Sequence, residues 1–351
     1  MSPNGTPGTD PARLRRILLI RFRRIGDIVL TTPAVRALRR ALPAAELIYA
    51  VDEPYRKLIE GHPDLDGIIA VPPGASGKDF LKLVRNVRKR RFDAVLDFHG
   101  GPRASYLTWL SGARLKIGYG IKWRGFIYDV RVPRRGASGP VHSAENHVNL
   151  VRALGIDVGE IPDLSLPPAG ADIRPPEDSS GRPVPVQPGE RIVALHIGAG
   201  NRFRDWGEEN LTGLAVRLGG DKNVRVVLVG GPEDGARERA ILARAPGTTS
   251  LAGRIDLGGL RDFLSRATVF VGPDSGPMHI AAAAGIPIIA LFGPNLPAFF
   301  APWRPAPGTR IIEKPLDCRP CRQHECVSGD FRCLRTISPQ EVYLETLALL
   351  G

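Results

Sequence analysis

Short runs of aliphatic and β-branched residues alternate with amphipathic segments along the first half of the chain. Four such runs predict buried strands, at residues 16–21, 47–51, 67–71 and 94–98. A helical pattern extends from about Gly26 to Ala41 after the first run, and Pro43 predicts its end. This alternation is typical of a parallel sheet covered by helices.

The second half of the chain repeats the pattern. Its predicted strands lie at residues 191–196, 224–229, 268–272 and 286–292. Ser338 precedes a helical segment at 341–350, which predicts a capped C-terminal helix. The sequence therefore predicts an α/β fold with two doubly wound parallel sheets.

A proline-rich segment separates the two halves. Residues 161–190 contain eight prolines and little apolar periodicity, as is typical of a stiff linker. We predict four parts: an N-terminal domain at 13–160, a linker at 161–189, a C-terminal domain at 190–335 and the C-terminal helix at 336–351.

The composition narrows the class of protein. The chain has 351 residues, 43% of them hydrophobic, which excludes a fibrous or largely disordered protein. No apolar run reaches the roughly 18 residues that a membrane span needs. The polar segment 1–13 lacks the hydrophobic region of a secretory signal, so a cytosolic enzyme or binding protein is expected.

The positive charge is confined to the first half. The net charge is +12, and residues 1–160 hold 27 basic and 15 acidic residues, whereas 161–351 hold 21 of each. This imbalance predicts an anionic partner, such as nucleic acid, an acidic membrane or a phosphorylated substrate; the alternative is a set of merely solvated helix faces. Residues 82–91 are the clearest case, because Leu81, Val84 and Val87 predict a buried face opposite the cations. Aromatic residues are not interleaved with these cations, which disfavours RNA.

Two loops that follow predicted strands carry the strongest candidate chemistry. Gly26 and Asp27 follow the first strand, where ligands bind in open α/β sheets. Asp27 is therefore either a proton acceptor or a residue that caps the helix or complements its dipole. The other loop opens a helix, whose free N–H groups and positive dipole end suit a diphosphate. Its candidate residues are Asp274, which caps or orients the loop, and the donors Ser275, Gly276 and His279. The alternative is an ordinary turn in which Asp274 or Ser275 caps the helix.

Two further strand ends complete the predicted ligand site of the second half. Gly198, Gly200 and Asn201 follow one strand as a candidate ligand loop, and Arg204 presents a forked cation for a phosphate. Glu233 follows the next strand, where its carboxylate is placed to bind a ribose or to favour the start of a helix.

Four cysteines lie close together near the C-terminus: Cys318, Cys321, Cys326 and Cys333. One C-x-x-C pair is a plausible half of a structural zinc site, but the other spacings match no standard zinc knuckle. Labile disulfides and packed thiols stay open as alternatives.

Taken together, Ile25-Gly26-Asp27 and the run from Gly272 to His279 resemble glycosyltransferase family 9, the ADP-heptose:lipopolysaccharide heptosyltransferases. The resemblance extends from about Leu14 to the C-terminal helix. It implies a GT-B architecture, in which two Rossmann-like domains face each other across a cleft. The N-terminal domain binds the acceptor in such proteins, and the C-terminal domain binds the nucleotide sugar.

The resemblance also implies roles for single residues. Asp27 matches the catalytic base and Glu233 the ribose-binding glutamate. Arg204, two residues before Trp206, matches a phosphate-binding cation that is normally lysine. The diphosphate loop of the family matches Asp274, Ser275, Gly276 and His279.

These roles imply an inverting, metal-independent transfer of heptose from ADP-heptose to the inner core of a lipopolysaccharide precursor, with no cofactor required. The implied partners are the nucleotide sugar, a lipid-linked phosphorylated saccharide and an anionic membrane surface, and not nucleic acid. The implied location is cytoplasmic and peripheral to the inner membrane. The cations expected at that membrane are Arg15, Arg16, Arg36, Arg39, Arg40 and those of residues 82–91.

Other functions stay open at this point. A family member that uses another nucleotide sugar has the same motifs. A non-catalytic module that binds a nucleotide sugar needs the diphosphate loop but not Asp27. An RNA-binding protein that uses the basic half would show strongly salt-dependent binding.

Overall fold

The computed structural model describes residues 10–74, 77–134, 139–170, 174–187, 189–198 and 200–351. The polar segment 1–9, residues 171–173 and 188 of the predicted linker, and Ala199 lie outside these ranges. The chain divides into two compact units, Met1–Pro167 and Pro168–Gly351. In the part of the chain that is described, no helix is both long and apolar enough to cross a membrane.

The first unit is built on a parallel sheet of six strands. These are β1 (Arg16–Ile20), β2 (Glu46–Asp52), β3 (Gly67–Val71), β4 (Ala94–Asp97), β5 (Leu115–Tyr119) and β6 (Val130–Val132). The helices of this unit are α1 (Ile25–Val29), α2 (Thr32–Ala41), α3 (Arg56–Ile59), α4 (Gly77–Lys89), α5 (Pro102–Leu110) and α6 (Ser143–Arg152). The central strands are apolar on both faces because helices cover the sheet on both sides.

The second unit is also built on a parallel sheet of six strands. These are β7 (Arg191–His196), β8 (Val224–Val229), β9 (Thr249–Ser250), β10 (Val269–Pro273), β11 (Ile288–Phe292) and β12 (Arg310–Glu313). The helices of this unit are α7 (Glu208–Gly219), α8 (Gly235–Arg244), α9 (Leu257–Leu264), α10 (Gly276–Ala283), α11 (Pro297–Phe300), α12 (Arg332–Arg335) and α13 (Pro339–Leu350).

The two units share one topology, which confirms the expected pair of Rossmann-like folds. The sheet orders are β3-β2-β1-β4-β5-β6 and β12-β11-β10-β7-β8-β9. Counted from its own first strand, each sheet therefore has the order 3-2-1-4-5-6, read from one edge or the other. In such a sheet the connections run in opposite directions from the first and fourth strands, and a crevice opens between their carboxyl ends. These switch points lie between β1 and β4 in the first unit, and between β7 and β10 in the second.

The single predicted helix from Gly26 to Ala41 is wrong, because the structure divides it into α1 and α2. Pro33 has no N–H to donate to the carbonyl of Val29, as a continuous helix would require. The hydroxyl of Thr32 donates to that carbonyl instead, at 2.8 Å. Asp27 consequently lies on a separate helix of five residues, immediately after β1.

The sequence pattern did not predict four of the strands: β5, β6, β9 and β12. Strand β9 has only two residues and β6 only three, which is too short for a period to be visible. Strand β12 is exposed along most of its length at the edge of the sheet. Lys116 and Gly118 interrupt the apolar run of β5.

The proline-rich segment is not a free linker over its described length. Ser165 lies in the first unit, where its N–H donates to the hydroxyl of Thr32 at 3.0 Å. Glu177 lies in the second unit, where its backbone exchanges two hydrogen bonds of 2.8 Å with Ser250. The carboxylate of Glu177 also pairs with Arg254 at 2.6 Å. At Ser165 the segment therefore packs on the first unit, and at Glu177 on the second.

Helix α4 bears the predicted cations, but its buried face differs from the prediction. Leu81 is 51% exposed, whereas Leu83, Val84 and Val87 are buried and Phe80 packs beside them. Positions 80, 83, 84 and 87 follow the i, i+3, i+4, i+7 spacing of a helix stripe, and position 81 falls next to it.

Several cations of the first unit are neutralised within the fold. Three of those expected at a membrane form ion pairs: Arg16 with Glu46, Arg36 with Asp64 and Arg39 with Asp66, at 3.0, 3.1 and 2.5 Å. The net charge of this half therefore overstates the charge that its surface offers to a partner.

The C-terminal helix is part of the core of the second unit. Ser338 caps α13 by accepting from the N–H of Glu341 at 3.1 Å, which confirms the predicted cap. Trp206 is buried and donates its indole N–H to the carbonyl of Ile337 at 2.9 Å. Trp206 thus fixes the chain at the point where it enters α13.

We predict that Trp206→Phe lowers the free energy of unfolding of the second unit by about 1–3 kcal/mol, because the buried carbonyl of Ile337 loses its donor. Urea unfolding followed by circular dichroism measures this change. Trp109→Phe is the control, because Trp109 is exposed and its replacement is expected to change stability by less than about 0.5 kcal/mol. Equal effects of the two variants would contradict the anchoring role.

Candidate functional site

A buried guanidinium spans the switch point of the first unit. Arg21 follows β1 and donates through Nη1 to the carbonyl of Phe98, the residue after β4, at 2.7 Å. Its Nη2 lies 2.5 Å from the Oδ2 atom of Asp27. The Arg21 side chain is only 9% exposed and is held by the carbonyl of Phe98, so this ion pair orients the Asp27 carboxylate at the switch point.

The contacts of Asp27 argue against the capping role. The N-cap of α1 is Arg24, and the helix has no side-chain cap. Asp27 lies in the first turn, where its charge complements the helix dipole, and it pairs with Arg21 rather than with the free N–H groups of the helix. Its side chain is 27% exposed. Capping therefore does not explain this carboxylate, which is fixed by a cation and still accessible.

The surroundings of Arg21 are polar and buried. Asp97 ends β4 with no exposed surface and accepts from Tyr128 Oη at 2.6 Å and from the N–H groups of Gly100 and His99 at 2.8 and 2.9 Å. Burial nevertheless raises the pKa of Asp97 above its ordinary value. Burial and the nearby guanidinium groups lower the pKa of His99 to about 4, so its imidazole is neutral at pH 7.

An equivalent arginine spans the switch point of the second unit. Arg204 lies in a 3-10 turn, Arg202–Arg204, after β7. Its Nη1 donates to the backbone carbonyl of Asp274 at 3.2 Å and lies 3.4 Å from the Oδ2 atom of the same residue. Asp274 is buried and directly follows β10, much as the buried Asp97 ends β4. The structure thus brings together the predicted phosphate cation and the predicted diphosphate loop.

Two amides that the sequence analysis missed complete this network. Gln323 accepts through Oε1 from Asn201 Nδ2 at 2.6 Å and from Arg204 Nε at 3.3 Å. Its amide nitrogen donates to Asn295 at 2.7 Å, and Asn295 donates to the Asp274 carboxylate at 2.5 Å. No sequence signal marks Gln323, because it lies over 100 residues from Asn201 and in a loop without a regular pattern.

The N-terminus of α10 is open at this network. Ser275 is the N-cap residue, but its side chain does not cap the helix; its hydroxyl lies 3.2 Å from Nδ1 of His196. Ser275 therefore leaves the N-terminus of α10, which begins at Gly276, without a cap from its side chain, and N–H groups at a helix N-terminus bind anions. Burial and the charge of Arg237 lower the pKa of His196 to about 4, so the neutral ring is able to accept the Ser275 proton.

The remaining predicted site residues differ in accessibility. Glu233 is exposed in the 3-10 turn Pro232–Asp234, whereas His279 is 3% exposed in the first turns of α10. A side chain at Gly198 would place its Cβ 2.6 Å from the Asp234 carboxylate, so close packing favours glycine at this position. Gly200 has open space around it.

The four cysteines border one pocket of the second unit, together with Phe203 and Phe331. All four are free. Burial and the three neighbouring thiols raise the pKa of Cys333. Among the described side chains, no group of three or more His, Cys, Asp or Glu residues is arranged to hold a metal ion. The thiols are therefore gathered but are not in a ready ligand geometry, and the zinc alternative stays a prediction.

The model of glycosyltransferase family 9 (heptosyltransferase) matches residues 80–331 of the chain. Lipopolysaccharide heptosyltransferase 3 of Escherichia coli is 26% identical over 295 residues, which are 79% of this chain and 83% of that protein. Lipopolysaccharide heptosyltransferase 1 of Pseudomonas aeruginosa is 27% identical over 323 residues, 89% of this chain and 87% of that protein.

Solved structures share the fold at lower identity. A family 9 glycosyl transferase from Veillonella parvula has a TM-score of 0.78 at 22% identity and covers 96% of this chain and 97% of its own. The ADP-heptose lipopolysaccharide heptosyltransferase II of E. coli has a TM-score of 0.76 at 22% identity, with coverages of 95% and 98%. The E. coli heptosyltransferase WaaC with ADP-2-deoxy-2-fluoro heptose has a TM-score of 0.72 at 19% identity, with coverages of 95% and 99%.

The depressed pKa of His196 predicts a loss of stability in acid. Because the pKa is about 4 in the folded state and about 6.5 in the unfolded chain, the unfolded state binds more protons between these values. The free energy of unfolding should therefore decrease as the pH is lowered from 6.5 to 4, by up to about 1.4 kcal/mol per pH unit for this group.

Urea unfolding of the wild type and of His196→Gln at several pH values isolates this contribution. The stability of the wild type relative to the variant should decrease as the pH falls from 6.5 towards 4. Other histidines act equally in both proteins and cancel in the difference. Parallel pH profiles would show that His196 titrates normally.

Proposed function

Because the chain belongs to glycosyltransferase family 9 (heptosyltransferase), we propose that it transfers a heptose from ADP-heptose to the inner core of a lipopolysaccharide precursor. The curated relatives named above are lipopolysaccharide heptosyltransferases that match about four fifths of this chain or more. The carrying observation is the Arg204 guanidinium held by Asp274 beside the open N-terminus of α10, an arrangement suited to a nucleoside diphosphate.

In the proposed reaction, the Asp27 carboxylate accepts the proton of an acceptor hydroxyl. The hydroxyl oxygen forms a bond to the anomeric carbon as the bond from that carbon to the diphosphate oxygen breaks. A single displacement of this kind inverts the configuration at the anomeric carbon. The electron pair of the broken bond leaves on ADP.

The donor loops would stabilise the departing charge. Negative charge would develop on the departing diphosphate. Positive charge is presented there by Arg204, by the N–H groups at Ser275 and Gly276, and by the dipole of α10. His279 would add a donor to the diphosphate and Glu233 would bind the ribose. We propose that these groups act in place of a metal ion.

Asp274 has the same sign of charge as the proposed diphosphate, and the network explains how it is accommodated there. Its carboxylate accepts from Asn295 and pairs with Arg204, so its charge is already compensated by the protein. We therefore assign to Asp274 the orientation of Arg204 rather than contact with the diphosphate. Gly200 and Asn201 would lie beside the ligand in the same loop.

The acceptor in this proposal is a lipid-linked phosphorylated saccharide. An enzyme that acts on such an acceptor would work at the cytoplasmic face of the inner membrane. The basic first half supports an anionic partner for that unit. A module that binds nucleotide sugars without catalysis would not need Asp27, and the buried Arg21 that fixes this carboxylate favours the enzyme.

We predict that Asp27→Asn lowers turnover about 10²–10⁴-fold, the usual worth of a positioned general base. Donor affinity should be unchanged, because the donor residues belong to the second unit. Product formation from ADP-heptose and truncated lipopolysaccharide, measured by mass spectrometry, gives the turnover. Asp79→Asn, at a surface acid of α4, is the control and should retain full activity. Normal turnover of Asp27→Asn would leave the carboxylate with a structural role only.

We predict that Arg204→Met weakens ADP binding about 10–100-fold, because a charge-assisted hydrogen bond is worth roughly 1.5–3 kcal/mol. Isothermal titration of the full chain with ADP measures the affinity. Arg310→Met is the matched control, since Arg310 begins β12 at the amino edge of the same sheet. If the wild type fails to bind ADP, the donor site and the proposed transfer are both wrong.

A further inference from the structure

Four exposed aromatic side chains lie on the first unit. Tyr106 and Trp109 are 46% and 53% exposed on α5, one helical turn apart and therefore on one face. Trp123 and Phe126 are 88% and 68% exposed in the loop between β5 and β6. The rings of Trp109 and Phe126 meet edge to face, with centroids 6.5 Å apart, and this contact joins the helix to the loop. We call these four residues the aromatic surface.

The aromatic surface is a departure from the rest of the described chain. Elsewhere in the described ranges every Phe, Trp and Tyr is buried or partly buried. Exposing large rings together is unfavourable in water, and grouped apolar surface of this kind marks a contact with another apolar body. Neither the proposed proton acceptor nor the proposed donor loops use these residues.

The charge around the aromatic surface identifies the class of partner. Residues 98–134 contain seven basic residues and one acidic residue, Asp129. Asp129 pairs with Lys116 at 3.4 Å and Arg103 pairs with Asp52, which leaves five basic residues without an ion pair in the described structure. Lys122 is exposed next to Trp123 in the chain. The exposed Arg131 extends its side chain alongside Gly125, the residue before Phe126. The partner must therefore present negative charge beside an apolar layer.

An anionic lipid bilayer has this combination. Tryptophan and tyrosine place a ring among acyl chains and a polar edge among headgroups, and flanking lysine and arginine pair with lipid phosphates. Helix α4, which the sequence predicted as the docking element, has no exposed aromatic ring. Three other cations predicted to contact the membrane, Arg16, Arg36 and Arg39, are ion-paired.

We propose that the aromatic surface, with Lys122 and Arg131, docks the first unit on an anionic lipid bilayer. The inference rests on the proposed function only for its purpose, which is to bring the enzyme to a lipid-linked acceptor. Vesicle binding without donor or acceptor tests it separately, so its failure would leave the glycosyl transfer untouched.

The test is co-sedimentation of the full chain with vesicles of phosphatidylcholine that contain increasing phosphatidylglycerol. Binding should rise with the anionic fraction and fall with added salt. The combined variant Trp109→Ser, Trp123→Ser, Phe126→Ser should bind at least about tenfold more weakly, with an unchanged melting temperature because these side chains are exposed. Lys122→Gln with Arg131→Gln should weaken binding only to the anionic vesicles.

Two matched controls distinguish binding through this surface from nonspecific apolar binding and from nonspecific electrostatic attraction. Val216→Ser, Val327→Ser and Leu344→Ser together remove exposed apolar side chains of the second unit and should leave binding unchanged. Arg88→Gln with Lys89→Gln removes two cations of α4 and should weaken binding less than Lys122→Gln with Arg131→Gln. Fluorescence quenching by brominated lipids should disappear in Trp109→Phe, Trp123→Phe.

Two results would overturn the proposal. The first is equal vesicle binding by the wild type and the aromatic variant. The second is a dimer in analytical ultracentrifugation that the aromatic variant abolishes while vesicle binding persists, since the surface would then be an interface between copies of this chain.

Discussion

The carboxyl edge of each parallel sheet is the constraint on which the rest of this structure depends. Strands buried on both faces leave no place for polar groups along their length, so those groups collect where the strands end. The shared 3-2-1-4-5-6 order then opens a crevice between the first and fourth strands of each unit. Every candidate residue at β1, β7, β8 and β10 follows from these two facts.

The same arrangement of an arginine and an aspartate lies at the crevice of each unit. An arginine from the loop after the first strand reaches the backbone carbonyl at the end of the fourth: Arg21 to Phe98, and Arg204 to Asp274. A buried aspartate lies at the carboxyl end of the fourth strand in each case: Asp97 is the last residue of β4, and Asp274 directly follows β10. In the first unit the guanidinium fixes a second, accessible carboxylate, whereas in the second it lies beside an open helix N-terminus. One scaffold thus presents negative charge on one unit and positive charge on the other.

Some cations of the first unit stabilise the fold through ion pairs, whereas others remain available to a partner. Ion pairs with Glu46, Asp64 and Asp66 consume cations that a sequence count treats as free. Around α5 and the β5–β6 loop, by contrast, acids are almost absent and aromatic rings are exposed. Excess charge becomes a recognition surface only where the fold does not supply its own counter-ions.

The sequence by itself determined the strands with long apolar runs, the Ser338 cap and the loops that hold Asp27, Arg204 and Ser275, because these depend on local periodicity and on groups close in the chain. Local information also showed that Pro43 ends a helix, but not that the hydroxyl of Thr32 would replace the missing donor of Pro33. Only the tertiary structure decided the short strands β6 and β9, which exist because a neighbouring strand supplies their hydrogen bonds.

Only the tertiary structure, too, brought Gln323 to Asn201 and Arg204, and Arg21 to Phe98. These partners are separated by 77 to 122 residues, and nothing in a local pattern encodes which distant polar group will lie opposite another. The same holds for the aromatic surface, where Trp109 and Phe126 meet because α5 packs beside the β5–β6 loop. Residue type and periodicity determine where the candidate functional residues lie along the chain. The packing of distant elements determines which groups each of them contacts.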